Sequence, residues 1–475
     1  MNTQAIRNKI GEIVGPNYVT DDDTVGWAYA HDSSLEDDIN PVPPDMVVRP
    51  DSTEEVQEIV KLANENKKPI YMKGGGTAGS WPRGEKIDES IMIDMTRMNE
   101  VIEISDEDLT VTTQAGITWG KLNDELGEQG WRLGFRGPYS GYGSTPGGGV
   151  AFQSNGYGST GYGVLAEEVT NLKVVLPQGD IMRTGTAINP NAGNYYRYAC
   201  GPDLTGLMVG SIGAFGAITE TSIRIYPEAE AEAFGSYGFK DYESAQECYY
   251  KWLKSRKAED VGWYFKDGLE AMVPELAEEG YVSLLTYVVE DVNQELVDAR
   301  SNLLEEKAEE AGGDTLDPIY AKEGWDYKFE LLPRWAGKIG QFQWSCHLAP
   351  AGGCIRNLKE VLGYIESRED EMEEKNVHTA TISIAHRNAG HVSTSVYFDE
   401  SSEESIELAE EMTHEMIEKT ANVGGCNYKP GKLWYPHTIM KHPAYRETLI
   451  DLKKTLDPNN IMNPGALTIP AEWEE

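Results

Sequence analysis

Two glycine-rich segments about seventy residues apart are the part of this sequence best suited to hold a ligand through its main chain. The first occupies residues 73–79 (KGGGTAG) and the second residues 144–149 (STPGGG). Bare backbone N–H groups in such loops form concavities that bind phosphate oxygens. Two loops of this kind fit a ligand with a pyrophosphate and a long flat body, such as a dinucleotide.

Neither segment carries a familiar nucleotide fingerprint. The first lacks the G-x-x-x-x-G-K-S/T spacing of a P-loop, and it is not G-x-G-x-x-G followed roughly twenty residues later by an acidic residue. Eleven of the thirty residues in 134–163 are glycine, and each glycine inside a helix or strand costs conformational entropy. The second region is therefore predicted to be loop, neither helix nor strand, with its backbone close to a ligand.

Composition restricts the class of the protein. The 475 residues suffice for two or three domains of roughly 100–200 residues each. The net charge of −38 argues against nucleic acid as a partner. This charge suits a basic redox partner, although solubility or a salty cytoplasm explains it more simply.

The five cysteines are scattered without a CxxC pair, which indicates free thiols rather than iron–sulfur or zinc centres. No run approaches the roughly 18 apolar residues of a membrane span, and the first ten residues lack a signal-type core, so the expected location is cytoplasmic.

The elements that position the two segments are predicted from periodicity. A helix begins at the capping residue Ser52 and carries apolar residues at helical spacing as far as Asn66. We expect strands at 46–50, 69–72, 90–94, 109–116, 169–175, 181–184 and 216–225, and helices at 118–129 and 207–212. The first glycine segment thus follows a strand, and this half of the chain is α+β.

The composition changes near Glu228. Acidic helices are predicted at 243–257, 293–310, 354–374 and 403–420, and strands at 281–289, 342–346, 379–385 and 392–398. This alternation predicts a sheet with helices on one face. Residues 456–465 (LDPNNIMNPG) have the chemistry of a turn rather than of a helix.

The order of these motifs resembles a known family. The first glycine loop, the second glycine region, the strand that begins at residues 216–220 (GAITE) and the terminal LDPNNIMNPG follow one another as in the FAD-binding oxidoreductases of the vanillyl-alcohol oxidase and 4-cresol dehydrogenase superfamily. Flavin subunits of glycolate oxidase and D-lactate dehydrogenase belong to it too. The resemblance covers nearly the whole chain. It implies an α+β fold in which a two-part, PCMH-type FAD-binding domain carries an inserted α/β cap domain.

The resemblance also implies domains and cofactor contacts. The FAD-binding domain would occupy residues 1–227, the cap or substrate domain 228–430, and a C-terminal segment that returns to the FAD domain 431–475. The first loop would hold the FAD pyrophosphate, and the second region would line the adenosine and isoalloxazine. The residues expected to contact FAD are Lys73, Gly74, Gly75, Gly76, Thr77, Ala78, Gly79, Thr145, Pro146, Gly147, Gly148, Ala217, Ile218 and Asn463. Because Gly76 and Gln341 occupy the positions where relatives attach the flavin covalently, we predict non-covalent FAD.

Two branches of the superfamily suggest different substrate classes, and this sequence resembles the phenol branch at more positions. Tyr428 and Lys429 stand where that branch has a Tyr-Arg pair that binds a phenolate. Such a pair stabilises the anion electrostatically, although lysine lacks the bidentate fork of arginine. Arg387 and His391, ahead of a cap strand, also resemble it. Against it, residues 138–143 contain no aspartate, where the branch keeps an acid/base carboxylate, and its second phenol-binding tyrosine is not evident.

The hydroxy-acid branch is favoured by residues 203–207 (DLTGL) and 209–211 (VGS). Many of its members hold a metal with a histidine pair and a Glu-His-Gly motif. Here His391 supplies one ligand, Phe398 takes the second position, and residues 427–429 (NYK) replace the triad. One histidine does not make a metal site, so we predict no catalytic metal.

We therefore expect an FAD-dependent dehydrogenase or oxidase that transfers a hydride from a C–H bond of an aromatic alcohol or para-alkylphenol to flavin N5. Its expected catalytic residues are Tyr428, Lys429, His391 and Arg387. A D-2-hydroxy acid dehydrogenase and an electron-relay flavoprotein subunit of a larger complex remain alternatives. The expected partner is a small-molecule substrate, and the resemblance leaves room for a redox partner protein and a homodimer.

Overall fold

The structure is a computed structural model that describes residues 1–30, 42–77, 89–330, 341–350 (backbone), 354–428 and 431–473. Its strands are β1 Val19–Thr20, β2 Met46–Val48, β3 Ile70–Lys73, β4 Ile91–Asp94, β5 Val101–Ser105, β6 Thr110–Gln114, β7 Trp131–Leu133, β8 Val169–Val175, β9 Ile181–Arg183, β10 Ala217–Pro227, β11 Ala231–Phe239, β12 Asp260–Phe265, β13 Ser283–Asp291, β14 Asp314–Leu316, β15 Gln341–Pro350, β16 His378–His386, β17 Ala389–Phe398 and β18 Cys426–Asn427. Its α-helices are α1 Thr3–Val14, α2 Asp23–Ala28, α3 Thr53–Asn66, α4 Trp119–Gly127, α5 Pro146–Ala151, α6 Ser159–Tyr162, α7 Leu165–Glu168, α8 Leu204–Met208, α9 Tyr242–Ser255, α10 Lys266–Met272, α11 Pro274–Glu278, α12 Gln294–Glu310, α13 Ile319–Asp326, α14 Cys354–Ser367, α15 Glu369–Glu374, α16 Glu403–Asn422 and α17 Pro443–Leu456.

Three sheets organise these elements. The first has the order β1-β2-β4-β3, with β2, β4 and β3 parallel, and the second has the antiparallel order β5-β6-β10-β8-β9 with β7 on β10. The third has the antiparallel order β14-β11-β13-β12-β16-β17-β15-β18 and is called here the cap sheet. The mixed helix-and-sheet architecture confirms the α+β prediction. The chain passes from the second sheet to the cap sheet between Pro227 and Ala231; the domain limits at 227/228 and 430/431 stay predictions.

Helix α3 shows how the sequence builds the support for the first glycine segment. Ser52 accepts a hydrogen bond from the Glu55 amide at 3.3 Å and so caps the helix. The apolar side of α3, which includes Val56, Ile59 and Val60, packs into the same core as β3 and β4. This packing holds β3 in place, and the glycine segment leaves its end.

The cap sheet has two different faces because side chains alternate along a strand. On one face, residues such as Trp263 and Phe265 form a core with α9, α12 and α14. On the other face, Tyr264, Ile382 and Tyr397 cluster with Tyr139 of the first half of the chain. The prediction of helices on one face was wrong, because α10, α11 and α13 pack on the opposite face, which also contacts Tyr139 of the first half of the chain.

The end of the chain returns to the first sheet through a buried ion pair. Lys453, on α17, donates to Asp457 Oδ2 at 2.7 Å and to the Ala214 carbonyl at 2.7 Å, and neither charged side chain is more than 1% exposed. Asp457 in turn accepts the Met462 amide at 2.8 Å. The next residue, Asn463, donates its backbone amide to the Ile70 carbonyl at 2.9 Å. The segment after α17 therefore joins β3 to the loop that contains Ala214.

Several secondary-structure predictions were wrong or incomplete. The second glycine region contains the short helix α5, which we had excluded on glycine content; Thr145 caps it and Pro146 occupies its first turn, which suits helix initiation. The helix expected at 207–212 instead ends at Met208, because Gly210 has φ +70° and Ile212 has φ +46°. The strands β11 and β12 and the helix α17 were not predicted. Within the described ranges, no helix combines the length and apolarity required to cross a bilayer.

Replacing Lys453 with methionine should destabilise the protein by ~3–5 kcal/mol, because the Asp457 carboxylate would stay buried without its cation. Urea unfolding followed by circular dichroism measures the change. The matched control is Lys454→Met, which alters the neighbouring exposed lysine and should shift the unfolding free energy by less than ~0.5 kcal/mol. Equal stability of Lys453→Met and wild type would contradict a contribution from the pair.

Candidate active site

The two glycine-rich segments touch each other, and their contact requires residues without side chains. A Cβ on Gly74 would lie 2.5 Å from Thr145 Oγ1, and a Cβ on Gly75 would lie 1.6 Å from the Gly143 carbonyl oxygen. Any side chain at either position would therefore separate the two segments. The hydroxyl groups of Thr77 and Ser140 add a hydrogen bond of 3.1 Å between them.

A cleft opens where the segments meet and contains ≈ 1040 Å³ of empty space, part of it open to solvent. This is the size of a small-molecule or cofactor pocket. Of the residues expected to contact FAD, the structure brings into its lining Lys73, Gly74, Gly75, Gly76, Thr77, Thr145, Gly147, Gly148 and Ile218. Pro146 and Ala217 lie beside that lining in sequence, and Ala78 and Gly79 fall outside the described residues. Asn463 supports the lining indirectly, because its side-chain amide donates a hydrogen bond to the carbonyl of the lining residue Ile212 at 2.7 Å.

The larger number of the residues that line the cleft were not identified from the sequence. The additional residues are Met72, Met95, Ala115, Pro138, Ser140, Ser144, Gly149, Ala151, Phe152, Ser154, Ile212, Gly213 and Gly216. Several of them belong to the second glycine region, and the high glycine content of that region is the sequence signal that could have identified them. Met95 and Ala115 carry no motif; they reach the cleft because β4 and β6 end there.

A packed cluster of aromatic side chains, called here the aromatic chamber, lies under the cap sheet. It is formed by Tyr139, Tyr157, Tyr264, Trp325 and Tyr397, which belong to two contiguous clusters. The ring centroids of Tyr139 and Tyr157 are 5.0 Å apart, and those of Tyr157 and Trp325 are 6.0 Å apart, both edge-to-face. Tyr139 links this cluster to the cleft, because its neighbours in the chain, Pro138 and Ser140, line the cleft.

His391 and Tyr428 form a buried pair at the border of this chamber. Their ring centroids are 4.1 Å apart, and the residues are 7% and 5% exposed. His391 lies on β17, two residues before Ser393, which is paired in register with Ile382 of β16. Since Ile382 packs against Tyr139, the chamber face of the sheet carries the pair as well. Lys429 lies outside the described residues.

Arg387 is placed away from this pair. It occupies the turn between β16 and β17, where its side chain is 46% exposed and lies 3.2 Å from the Glu167 carboxylate. Its guanidinium also donates to the Tyr162 carbonyl at 2.9 Å. The geometry describes a surface contact between the two halves of the chain, so a catalytic role for Arg387 stays a prediction that its position does not favour.

One carboxylate, absent from the sequence-based list, lies at the chamber. Asp260 begins β12, is 9% exposed, and accepts a hydrogen bond from the Gly158 amide at 2.8 Å. Burial raises its pKa to about 7, against the smaller opposing effects of the Gly158 amide and the Lys328 ammonium. Burial, with the repulsion of Arg136, lowers the pKa of Lys328 to about 8. Sequence reasoning missed Asp260 because it did not predict β12.

The buried phenols of the chamber are held in their neutral form. Burial raises the pKa of Tyr264 to about 12, and the Asp260 charge adds to the effect. The pKa values of Tyr139 and Tyr157 are raised well above the usual range for the same two reasons, together with their proximity to one another and to Tyr264. At neutral pH these hydroxyls can therefore donate hydrogen bonds. Among the described residues, no group of three His, Cys, Asp or Glu side chains is arranged to hold a metal ion.

Two family models match the chain in tandem. Residues 44–185 match a FAD binding domain, and residues 230–428 and 438–467 match the C-terminal domain of FAD linked oxidases. The chain is 28% identical to a mitochondrial D-lactate dehydrogenase [cytochrome] of Arabidopsis thaliana over 90% of its own length and 74% of that protein. It is 23% identical to glycolate oxidase subunit GlcD of Bacillus subtilis over 98% and 97% of the two chains. A structure of p-cresol methylhydroxylase with substrate bound superposes with a TM-score of 0.84 at 19% identity, covering 99% of this chain and 98% of that one.

Replacing Gly75 with alanine should weaken FAD binding by about 10- to 100-fold, because the new methyl group would overlap the Gly143 carbonyl and overpacking costs ~1–3 kcal/mol. Titration of the apoprotein followed by flavin fluorescence gives the dissociation constant. Gly127→Ala is the matched control, since a Cβ there meets nothing within 4 Å. An unchanged dissociation constant in Gly75→Ala would rule out a role for this contact in holding FAD.

Replacing Asp260 with asparagine should stabilise the protein increasingly as the pH rises. The folded pKa of about 7 exceeds the ordinary 3.8, so the wild type loses stability between roughly pH 4 and pH 7, where only the unfolded chain releases this proton. The variant has no such loss, and each unit of pKa shift corresponds to ~1.4 kcal/mol. Thermal unfolding at pH 5 and pH 8 should show the difference in Tm growing in favour of the variant. The same difference at both pH values would be inconsistent with this burial.

Proposed function

The chain belongs to the FAD-dependent oxidoreductases of the vanillyl-alcohol oxidase and 4-cresol dehydrogenase superfamily, and we propose that it oxidises the para side chain of a phenol, in an aromatic alcohol or a para-alkylphenol. The observation that supports this substrate class is the aromatic chamber beside the cofactor cleft. Its tyrosine and tryptophan rings suit a flat aromatic substrate. The bound flavin supplies the hydride acceptor for the oxidation.

The proposal assigns the cleft to FAD. The backbone of Gly74, Gly75 and Gly76 offers N–H groups to the diphosphate, and Thr145 and Ile218 also line the cleft. Asn463 supports the lining through Ile212 rather than by direct contact. Non-covalent attachment remains part of the proposal, since Gly76 has no side chain that can bond to the flavin.

The aromatic substrate is held at two places in this proposal. Tyr428 and His391 lie where the phenol oxygen would be bound, and Lys429, next in the chain, adds a positive charge for the phenolate. An anionic oxygen pushes electron density toward the para carbon, which lowers the barrier to hydride loss. The neutral hydroxyls of Tyr139, Tyr157 and Tyr264 then offer hydrogen bonds to the polar groups of the side chain under oxidation.

A D-2-hydroxy acid is the second candidate, and the names of the sequence relatives favour it. Such a substrate needs a cation for its carboxylate. Arg136, beside the chamber, already donates to Glu290 at 2.6 Å, and Lys328 donates to the Trp325 carbonyl. These two cations beside the chamber are thus engaged, which favours the phenol. A third candidate, an electron-relay subunit, would require reduction by a partner protein instead of by either substrate.

Anaerobic mixing of the holoprotein with candidate substrates separates the three possibilities. We expect 4-hydroxybenzyl alcohol or p-cresol to bleach the flavin absorbance band, and D-lactate and glycolate to leave it unchanged. Bleaching by the hydroxy acids alone would overturn the phenol assignment in favour of the second candidate. No bleaching by any of the four compounds would favour the electron relay.

Replacing Tyr428 with phenylalanine should slow flavin reduction by 4-hydroxybenzyl alcohol by roughly 10²–10³-fold, the usual cost of losing one donor to a developing or bound oxyanion. Anaerobic stopped-flow absorbance measures the rate constant. Tyr249→Phe is the control, because that tyrosine is equally buried but lies on the helix-covered face of the cap sheet. Equal rates in Tyr428→Phe and wild type would remove Tyr428 from the site.

A further inference from the structure

We propose that Tyr29 and Asp94 are positioning residues for the cofactor: they hold the Lys73 ammonium against the first glycine segment, where its charge binds the diphosphate of FAD. The inference rests on the proposed assignment of FAD to the cleft and deepens it. Among the described residues that line the cleft, Lys73 is the only one with a charged side chain. A diphosphate is an anion, and hydrogen bonds from a cation to an anion are about twice as strong as those between neutral groups. The charge of Lys73 therefore adds what the backbone amides lack.

The first argument is the course of the Lys73 side chain. Lys73 is the last residue of β3, and the chain turns at Gly76, where φ is +67°. A Cβ on Gly76 would lie 2.4 Å from Lys73 Cε and 3.1 Å from Lys73 Nζ. The stem of the lysine therefore lies directly against the backbone of the glycine segment. Its ammonium is thus at the same loop whose N–H groups are assigned to the diphosphate.

The second argument is the contact between this ammonium and an aromatic ring. Lys73 Nζ lies 4.6 Å from the centroid of the Tyr29 ring, which is within the range of a cation–π interaction. Tyr29 follows α2 and packs against a core cluster of Val47, Tyr71 and Met92. The core thereby fixes the ring, and the ring fixes the ammonium.

The third argument is the anchor of the Tyr29 hydroxyl. It donates to Asp94 Oδ2 at 2.5 Å, and Asp94 is 6% exposed. Asp94 Oδ1 accepts the amide and the hydroxyl of Thr96 at 2.9 and 2.6 Å, and Arg49 Nε lies 3.5 Å from Oδ2. Burial, with the hydrogen bond to Asp94, raises the pKa of Tyr29, so its hydroxyl stays a donor. A phenol that donates to a carboxylate has a more electron-rich ring, which strengthens the attraction to a cation.

The sheet brings the members of this group together. Lys73 of β3 and Asp94 of β4 are paired in register between parallel strands. Residues paired in this way carry their side chains on the same face of a sheet. Tyr29, more than forty residues before Lys73, contacts both of them. The three side chains form one unit at the end of the sheet from which the glycine segment leaves.

The test titrates apoprotein with two probes, FAD and riboflavin, and follows flavin fluorescence. Riboflavin has the isoalloxazine ring but no diphosphate. In Lys73→Met we expect the dissociation constant of FAD to rise by about 10- to 100-fold, the usual effect of losing a hydrogen bond to a charged group. In Tyr29→Leu we expect a rise of about 3- to 10-fold, as for loss of a cation–π contact. The dissociation constant of riboflavin should change by less than about 3-fold in both variants, because it carries no charge for Lys73 to bind.

Three further variants separate positioning from general damage. In Lys73→Met/Tyr29→Leu, FAD should bind no more weakly than in Lys73→Met alone, because Tyr29 acts through the lysine. Lys73→Arg keeps the charge and should recover most of the affinity. Tyr18→Leu is the matched control, since it removes another cation–π contact, in which Arg97 Cζ lies 3.5 Å from the Tyr18 ring centroid. Arg97 is bound to Asp51 at 2.6 Å, away from the cleft lining, so FAD affinity should not change.

The outcomes separate this inference from the proposed function, because no substrate enters the titrations. Wild-type FAD affinity in Lys73→Met would overturn the role of the cation. Additive losses in the double variant would show that Tyr29 acts independently of Lys73, and its positioning role would fall. An equal loss of riboflavin and FAD affinity would indicate general damage to the site and would also overturn the inference. If the wild type binds neither flavin, the assignment of FAD to the cleft fails, and the roles of Tyr29 and Asp94 fail with it.

Discussion

The close approach of two main-chain segments is the constraint on which the rest of this structure depends. At Gly75 the backbone lies so near the Gly143 carbonyl that even a methyl group would overlap it. That contact forms the floor of the cleft and presents unshielded amides to a ligand. It also fixes the position of residues 138–140, and through them the position of Tyr139, which begins the aromatic chamber. The cleft and the aromatic chamber therefore share one structural origin.

The C-terminal segment and the cap sheet, both distant in sequence from the glycine segments, support that contact in different ways. The C-terminal segment ties β3, which precedes the first glycine segment, to the loop of Ile212, which also lines the cleft. The Lys453–Asp457 pair holds this segment in a fully buried position, where an unpaired charge would be costly. The cap sheet lies on the other side and contributes His391, Tyr264 and Tyr397, whereas Tyr139 and Tyr157 come from the first half of the chain.

Local signals predicted the scaffold well and the site in part. The cap of α3 at Ser52 and its apolar side could be predicted, because capping and 3.6-residue periodicity are properties of neighbouring residues. The glycine segments were identifiable because so high a glycine content has few structural roles other than the close approach of a backbone to a ligand or to another segment. The short helix α5 was excluded on glycine content, yet a threonine cap and a proline in the first turn outweigh that cost over six residues. Asp260 could not be found, since nothing near it in sequence marks it as different from the other acidic residues of this chain.

By itself, the sequence determined which segments can bind a diphosphate through their backbone, where helices and strands with clear local periodicity and caps form, and to which superfamily the order of motifs is similar. These are consequences of side-chain size, local hydrogen bonding and periodicity. Only the tertiary structure decided that Asp260 accepts the Gly158 amide while Glu259, one residue earlier, is paired with Arg300. It also decided that His391 meets Tyr428 while Arg387, four residues before His391, lies at the surface. The reason is that strand alternation, register and burial set the environment of a charged group, and each of these depends on partners distant in the chain.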